Sequence, residues 1–368
     1  MSFVKNWRVV HWGLWRPAAG VMRRLRFPGK MALIAAAFTL PVVWLLISFL
    51  RVEQQGIDFV ARESDGVRYA QAVYVAQEAA DHWRYIARRV AYGDAGAPLA
   101  EARGRFDQAL EALQAQQLRL GERLDTGEAW RGLEQVVQKS RTAPDSNPQA
   151  IYGAMTELSG ALTGLLDVVT DHSGLALDPD IASRYLVSGS LLHAPSIIRR
   201  TGELRGLAGA ALRDGRIEPA QAIRLAELRS VLTHELLVAR ADMVKAREAA
   251  GPVGAGLVMD TFDAAQAYLQ ALQRHVPPGQ TEVQGDATAL IEQANQLLGT
   301  QYRQVARNLA VLDELLAARE SRLWRDLWIA LGVTVLSLLL ALFLAMGFYR
   351  AMFGGFKALR RHLMAISM

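Results

Sequence analysis

Two uncharged apolar stretches, Met31–Leu50 (20 residues) and Leu327–Tyr349 (23 residues), constrain this chain of 368 residues before any other feature does. A helix needs about 20 apolar residues to cross a bilayer, so both stretches are expected to be transmembrane helices. The flanking charge predicts their orientation. Residues 1–30 hold seven basic side chains and no acid, and residues 350–368 hold four and no acid. Positive flanks stay on the cytoplasmic side, which places both termini in the cytoplasm and residues 51–326 across the membrane. Trp324, Trp328 and Tyr349 stand at the edges of the second stretch, where amphipathic rings prefer to lie. A cleaved signal peptide would need a shorter apolar core followed by a small-x-small site, and residues 48–52 offer none. Pro41, inside the first stretch, reads as a bend that a neighbouring helix can accommodate. Trp7, Trp12 and Trp15 among arginines suit a segment lying along an anionic membrane surface.

Composition narrows the rest. With no cysteine, disulfide scaffolds and Cys-ligated metal sites are excluded. The net charge of +5 resides in the two ends: between them stand 30 basic against 36 acidic residues. A nucleic-acid-binding core is therefore not expected. From Arg51 to Asp326 apolar residues recur at three- and four-residue steps, as in Leu99, Phe106, Leu110, Leu113 and Leu120, or Leu290, Ala294, Leu298, Val305, Leu309, Leu312 and Leu316. Each such stripe predicts one amphipathic helix. Proline and glycine breaks divide the region into about eight helices, roughly 51–92, 98–123, 128–141, 148–177, 179–213, 219–250, 256–275 and 286–326. Asn147, Asp178 and Glu218, each before a proline, are the predicted N-caps of three of them. The predicted fold is all-α: two transmembrane helices flank a domain of two four-helix bundles, with 51–177 and 178–326 as approximate halves. The first and last of these helices should continue unbroken into the spans.

Residues 173–186, Ser173-Gly174-Leu175-Ala176-Leu177-Asp178-Pro179-Asp180-Ile181-Ala182-Ser183-Arg184-Tyr185-Leu186, resemble the SNLxLDPDxDSYYL segment of one group of helical sensor domains. Glu203-Leu204-Arg205-Gly206-Leu207-Ala208 fits the same group, while Arg184 stands where its pattern has an aromatic residue. With its layout of spans, the chain thus resembles the sensor half of bacterial methyl-accepting chemotaxis receptors and related transmembrane sensor kinases. Residues 350–368 resemble the first helix of a HAMP linker, with Phe353, Phe356, Arg360, Leu363 and Ser367 near a heptad seam and without the proline common at its start. The resemblance implies an inner-membrane protein with a periplasmic domain, a homodimer, and a signalling domain beyond the linker. The expectation is of a receptor fragment.

Two clusters are candidate ligand-binding sites. Arg84 and Arg88 lie four apart on one helical face, where two guanidinium groups can hold a carboxylate while Trp83 or Tyr85 packs against the ligand body. The alternative is a solvated basic face paired with acids of a neighbouring helix. Tyr185, His193, Arg199 and Arg200, with Arg205 beyond them, form the second cluster, which would hold an anion if it faces the interior and would otherwise be satisfied by a salt bridge to Glu203. Asp178-Pro179-Asp180 reads as a helix start rather than a calcium site. Gly251–Gly256 reads as a turn, since no strand precedes it and no Lys-Ser/Thr follows. No paired-histidine metal motif or nucleophile elbow is present, so no catalytic residue, metal or cofactor is expected. The expected function is a chemoreceptor that binds a small anionic solute, or a periplasmic binding protein, and passes a displacement through the second span. A histidine kinase or diguanylate cyclase sensor half, and a non-sensing membrane adaptor, are the alternatives.

Overall fold

A computed structural model of the protein describes residues 20–91, 93–94, 96–142 and 147–366, with no side chain described beyond residue 351. Trp7, Trp12, Trp15 and Ser367 lie outside these residues, and Phe353, Phe356, Arg360 and Leu363 fall where only helical backbone is described. Among the described residues the protein is all-α. The elements are α1 (Phe27–Ala91), α2 (Leu99–Leu120), α3 (Gly127–Thr142), α4 (Pro148–His172), α5 (Ile181–Val187), a π-helical turn (Ser188–His193), α6 (Ala194–Asp214), α7 (Pro219–Ala249), α8 (Asp260–His275) and α9 (Ala287–Ile366). Short 3-10 turns occupy Leu175–Leu177 and Gly251–Gly256, and among the described residues the one extended pairing is an isolated bridge between Arg216 and Glu282.

The chain divides into two units, one made of residues up to Ile57 and from Arg322 onward, the other of Asp58–Ser321. In the first, α1 and α9 are long and apolar enough to cross a membrane. Phe38, Leu40 and Trp44 on α1 and Leu336, Phe343 and Phe348 on α9 display their side chains on the surface. Apolar surface costs about 25 cal/mol per Å² in water, a penalty that hydrocarbon surroundings remove. α1 runs through Pro41 without interruption, and each long helix is continuous from its apolar stretch into the residues of the second unit, as the periodicity predicts.

In the second unit the predicted stripes are buried, except that Leu99 and Leu110 of the first are half-buried. Phe106, Leu113, Leu158, Leu162, Leu165, Leu232, Leu309 and Leu312 have almost no exposed surface. α3 lies against α4; α5, the π turn and α6 lie against α7; and α7 touches α8. Buried polar contacts fix the pairing of α1. Tyr69 donates to Gln117 Oε1 on α2 at 2.5 Å, Gln77 to Ser159 Oγ on α4 at 2.6 Å, and Tyr74 to the Ser190 carbonyl of the π turn at 2.5 Å. That last bond uses a carbonyl in the turn whose wider winding departs from regular i→i−4 pairing. Asn308 of α9 donates to Ser190 Oγ at 3.0 Å on the same turn.

Two helices predicted as single pieces are broken. The expected 148–177 helix stops at His172 because Gly174 takes φ +85°, and the expected 179–213 helix begins at Ile181 and is interrupted by the π turn. Asp178 is not the cap. Asp180 is, accepting from the backbone N–H groups of Ala182 and Ser183, while Asp178 is drawn into the interior. Asn147 does cap α4, accepting from Ala150 N, whereas Glu218 makes no side-chain cap bond.

Gly174 is required twice, by its left-handed backbone and because a Cβ there would stand 2.8 Å from Phe59 Cε2 on α1. Gly174→Ala is therefore expected to destabilise the protein by about 1–3 kcal/mol, read as a lower thermal midpoint with unchanged helical circular dichroism. A midpoint equal to that of the parent protein would contradict this account of the turn.

Candidate ligand cavity

Within the second unit a cavity of about 640 Å³ opens among α1, α2, α6 and α9. That volume lies in the range of sites that enclose a small molecule. Each long wall is one helical stripe: Val75, Glu78, Ala79, His82 and Tyr85 on α1; Arg105, Gln108, Ala109 and Ala112 on α2; Asn295, Leu298, Gly299 and Tyr302 on α9. Spacings of three and four residues bring each set to a single face. Arg205 completes the lining from α6.

The charges in this wall are unequally satisfied. Asp81, buried on α1, pairs with Arg84 at 3.0 Å and accepts the Tyr302 hydroxyl at 2.5 Å. Burial, reinforced by the Asp81 charge, raises the Tyr302 phenol well above its ordinary pKa and keeps it a donor. Arg105 pairs with Glu101 at 2.6 Å, where both side chains are well exposed. Arg205 differs. Its Nη1 donates to the neutral Asn295 Oδ1 at 2.6 Å and its guanidinium lies 4.6 Å from the centre of the Tyr85 ring, but among the described residues no carboxylate comes within ion-pair distance. Burial first, then the charge of Arg84, lowers its pKa from the usual guanidinium value. A half-buried guanidinium that donates to a neutral amide, lies on an aromatic face and has no carboxylate at ion-pair distance among the described residues is a receptor for an anion.

Of the first predicted cluster, Tyr85 lines the cavity, while Arg84 and Arg88 lie behind it. They pass over α6 at Gly202 and Gly206, where a Cβ would meet Arg84 Nη2 at 3.3 Å and Arg88 Nη1 at 2.5 Å. With Tyr85, Arg205 and Arg213 they surround a smaller hollow of about 50 Å³. Trp83 does not reach either space. It is buried against Phe106, ring centroids 5.4 Å apart, with the Arg103 guanidinium 5.7 Å from its ring centre, and serves the α1–α2 core.

The second predicted cluster does not gather into one site. Arg199 pairs with Glu203 at 2.8 Å, Arg200 with Glu235 of α7 at 3.2 Å, and Tyr185 lies under Lys245. His193 closes the π turn. The anticipated salt bridge to Glu203 thus belongs to Arg199, and the charge of Arg200 is satisfied across α6–α7. Sequence reasoning missed Asn295, Tyr302 and the full importance of Arg205. Tyr302 did carry a signal, since it fills the position four beyond Leu298 in the apolar stripe of α9.

Removing the donor to Asp81 tests the electrostatic frame of the cavity. Tyr302→Phe leaves a buried carboxylate oxygen without its hydroxyl and is expected to cost about 1–3 kcal/mol in denaturant unfolding of the full chain. An unchanged midpoint would show that Asp81 does not depend on this bond. Comparison with protein-family models, with curated proteins and with solved structures finds no match to the chain.

Proposed function

We propose that this chain is the sensor part of a transmembrane receptor of the chemotaxis-receptor kind, lying in a bacterial inner membrane with cytoplasmic termini. Residues 51–326 form its periplasmic domain, two four-helix bundles with 51–177 and 178–326 as approximate halves. The ligand is a small solute carrying a carboxylate or similar anionic group, bound in the cavity among α1, α2, α6 and α9. Arg205 carries this assignment: it is a cation at the wall of an open cavity, without a carboxylate at ion-pair distance among the described residues and stacked on Tyr85. The apolar residues Val75, Ala79, Ala109 and Leu298 receive the body of the solute.

Two walls of the cavity belong to α1 and α9, whose own sequences contain the two apolar stretches. A solute that binds one arrangement of these helices more tightly than another shifts the population between them, and a displacement of about 1–2 Å suffices for helix-shift signalling. The protein works as a homodimer, and the HAMP-like segment 350–368 passes the change to a cytoplasmic signalling module. A sensor kinase or cyclase would use the same input device.

The test is thermal unfolding of the full chain in detergent against organic acids, amino acids and purines. A solute at 100 times its dissociation constant adds about 2.7 kcal/mol of stability. Arg205→Ala is expected to abolish that gain, whereas Arg200→Ala, whose native charge is tied to Glu235, should retain it. No shift with any acid, or a shift that survives Arg205→Ala, would overturn the assignment.

A further inference from the structure

Glu63 of α1 and Asp178, in the turn before α5, are both fully buried, and they share one cation, Arg319 of α9. Arg319 Nη1 lies 3.0 Å from Asp178 Oδ1 and 3.6 Å from Glu63 Oε2. Asp178 Oδ1 also accepts the Asp180 backbone N–H at 2.8 Å. The other oxygens are the anomaly. Asp178 Oδ2 and both oxygens of Glu63 are buried without a protein donor among the described residues. Yet the two carboxyl groups converge on one nitrogen, Arg319 Nη1, and face each other there with no solvent between them. Two carboxylates cannot bond to one another, because both offer only acceptors; a carboxylic acid and a carboxylate can. One proton supplies the missing donor and leaves a single negative charge against the single charge of Arg319.

We propose that Glu63 and Asp178 form a proton-binding site, in which one proton is shared between the two carboxyl groups and Arg319 balances the remaining charge. The ligand of this cluster is the proton itself, and the site is separate from the solute cavity. The charged groups facing Glu63 are Asp178 and Asp180 from the turn into α5 and Arg319 from α9; Ser183 of α5 stands beside Asp178 and brings no charge. Ser173 packs on Gly66, one turn along α1, without adding charge. When the proton leaves, two buried carboxylates face one guanidinium and their repulsion loosens the turn before α5 from α1. The cluster thus reports the alkalinity of the compartment it faces.

The direction of the pH response separates this site from an ordinary ion pair. Burial, then the charge of Asp178, pushes the Glu63 carboxyl up from about 4.5 to about 8, and burial raises Asp178 as well. A carboxyl with a raised folded value contributes stability that is complete below its unfolded value and is lost as pH rises through its folded value. An ion pair with every member charged predicts the reverse, loss on acidification.

The experiment is the thermal midpoint of the full chain in detergent between pH 5.5 and 9, for the parent protein, Glu63→Gln and Asp178→Asn. Glutamine mimics the protonated acid. Asparagine keeps an acceptor for Arg319 and Asp180 N and offers its amide N–H to Glu63, which can then ionise. The parent midpoint is expected to fall by several degrees as pH rises, and either folded variant to lose most of that fall. Profiles parallel to the parent in a folded variant, or a parent midpoint that instead falls on acidification, would overturn the proposal. Should neither variant fold, the infrared carbonyl stretch of the parent protein decides: a protonated-acid band that titrates near pH 8 supports the site, and its absence at pH 7 overturns it.

Discussion

Carboxylates buried on α1 set the terms for the second unit. Glu63 and Asp81 sit on one long helix, 18 residues apart, with little or no contact with solvent. An unpartnered buried charge is too costly to keep, so each must find its counterpart elsewhere in the chain. Asp81 finds Tyr302 across 221 positions, and Glu63 finds Asp178 and Arg319. These contacts come from both ends of the sequence and from its middle, so they exist only when α1, α9 and the turn before α5 are all in register. Apolar stripes alone tolerate sliding by a helical turn; the polar contacts do not.

The same contacts give the proposed sensor its mechanics. α1 and α9 are the helices in which the apolar stretches lie, and within residues 58–321 they meet through polar groups whose charge state or company can change. A solute anion beside Arg205 would add a charge next to the Asp81–Tyr302 pair, and a proton at Glu63 would remove one beside Arg319. Both act on helices already held at discrete contacts, where packing favours two arrangements over a continuous range. The thermodynamic requirement is only that the bound group prefers one arrangement.

Much of this organisation was legible in the residues. The apolar stretches, the three- and four-residue stripes and the proline and glycine breaks gave the helices and their order, because these signals act over one or two turns. The same short range puts Arg84 and Arg88 on one face of α1, where they border the smaller hollow, and Tyr85 beside the cavity. Failures arose where partners are distant. Trp83 lies on a different face of α1 from Tyr85, and nothing local says which face the core takes. Arg200 is matched by Glu235 on the next helix, and Arg205 by Asn295, 90 positions away. Asp178 before Pro179 has the form of a helix cap, but tertiary burial overrides that preference and hands the cap to Asp180.

The proposed receptor requires α1 and α9 to change their relation when a solute occupies the Arg205 cavity. Because the chain contains no cysteine, spin labels can be attached at only two chosen positions. Arg62→Cys on α1 and Ala317→Cys on α9 are both exposed, and pulsed electron paramagnetic resonance on the full chain in lipid nanodiscs, diluted with unlabelled chain, reads the distance between them. Saturation with the acid that most stabilises the protein is predicted to move or split the distance distribution by about 1–2 Å, and Arg205→Ala to leave it in place. A distribution unchanged by a saturating, stabilising acid would contradict the claim.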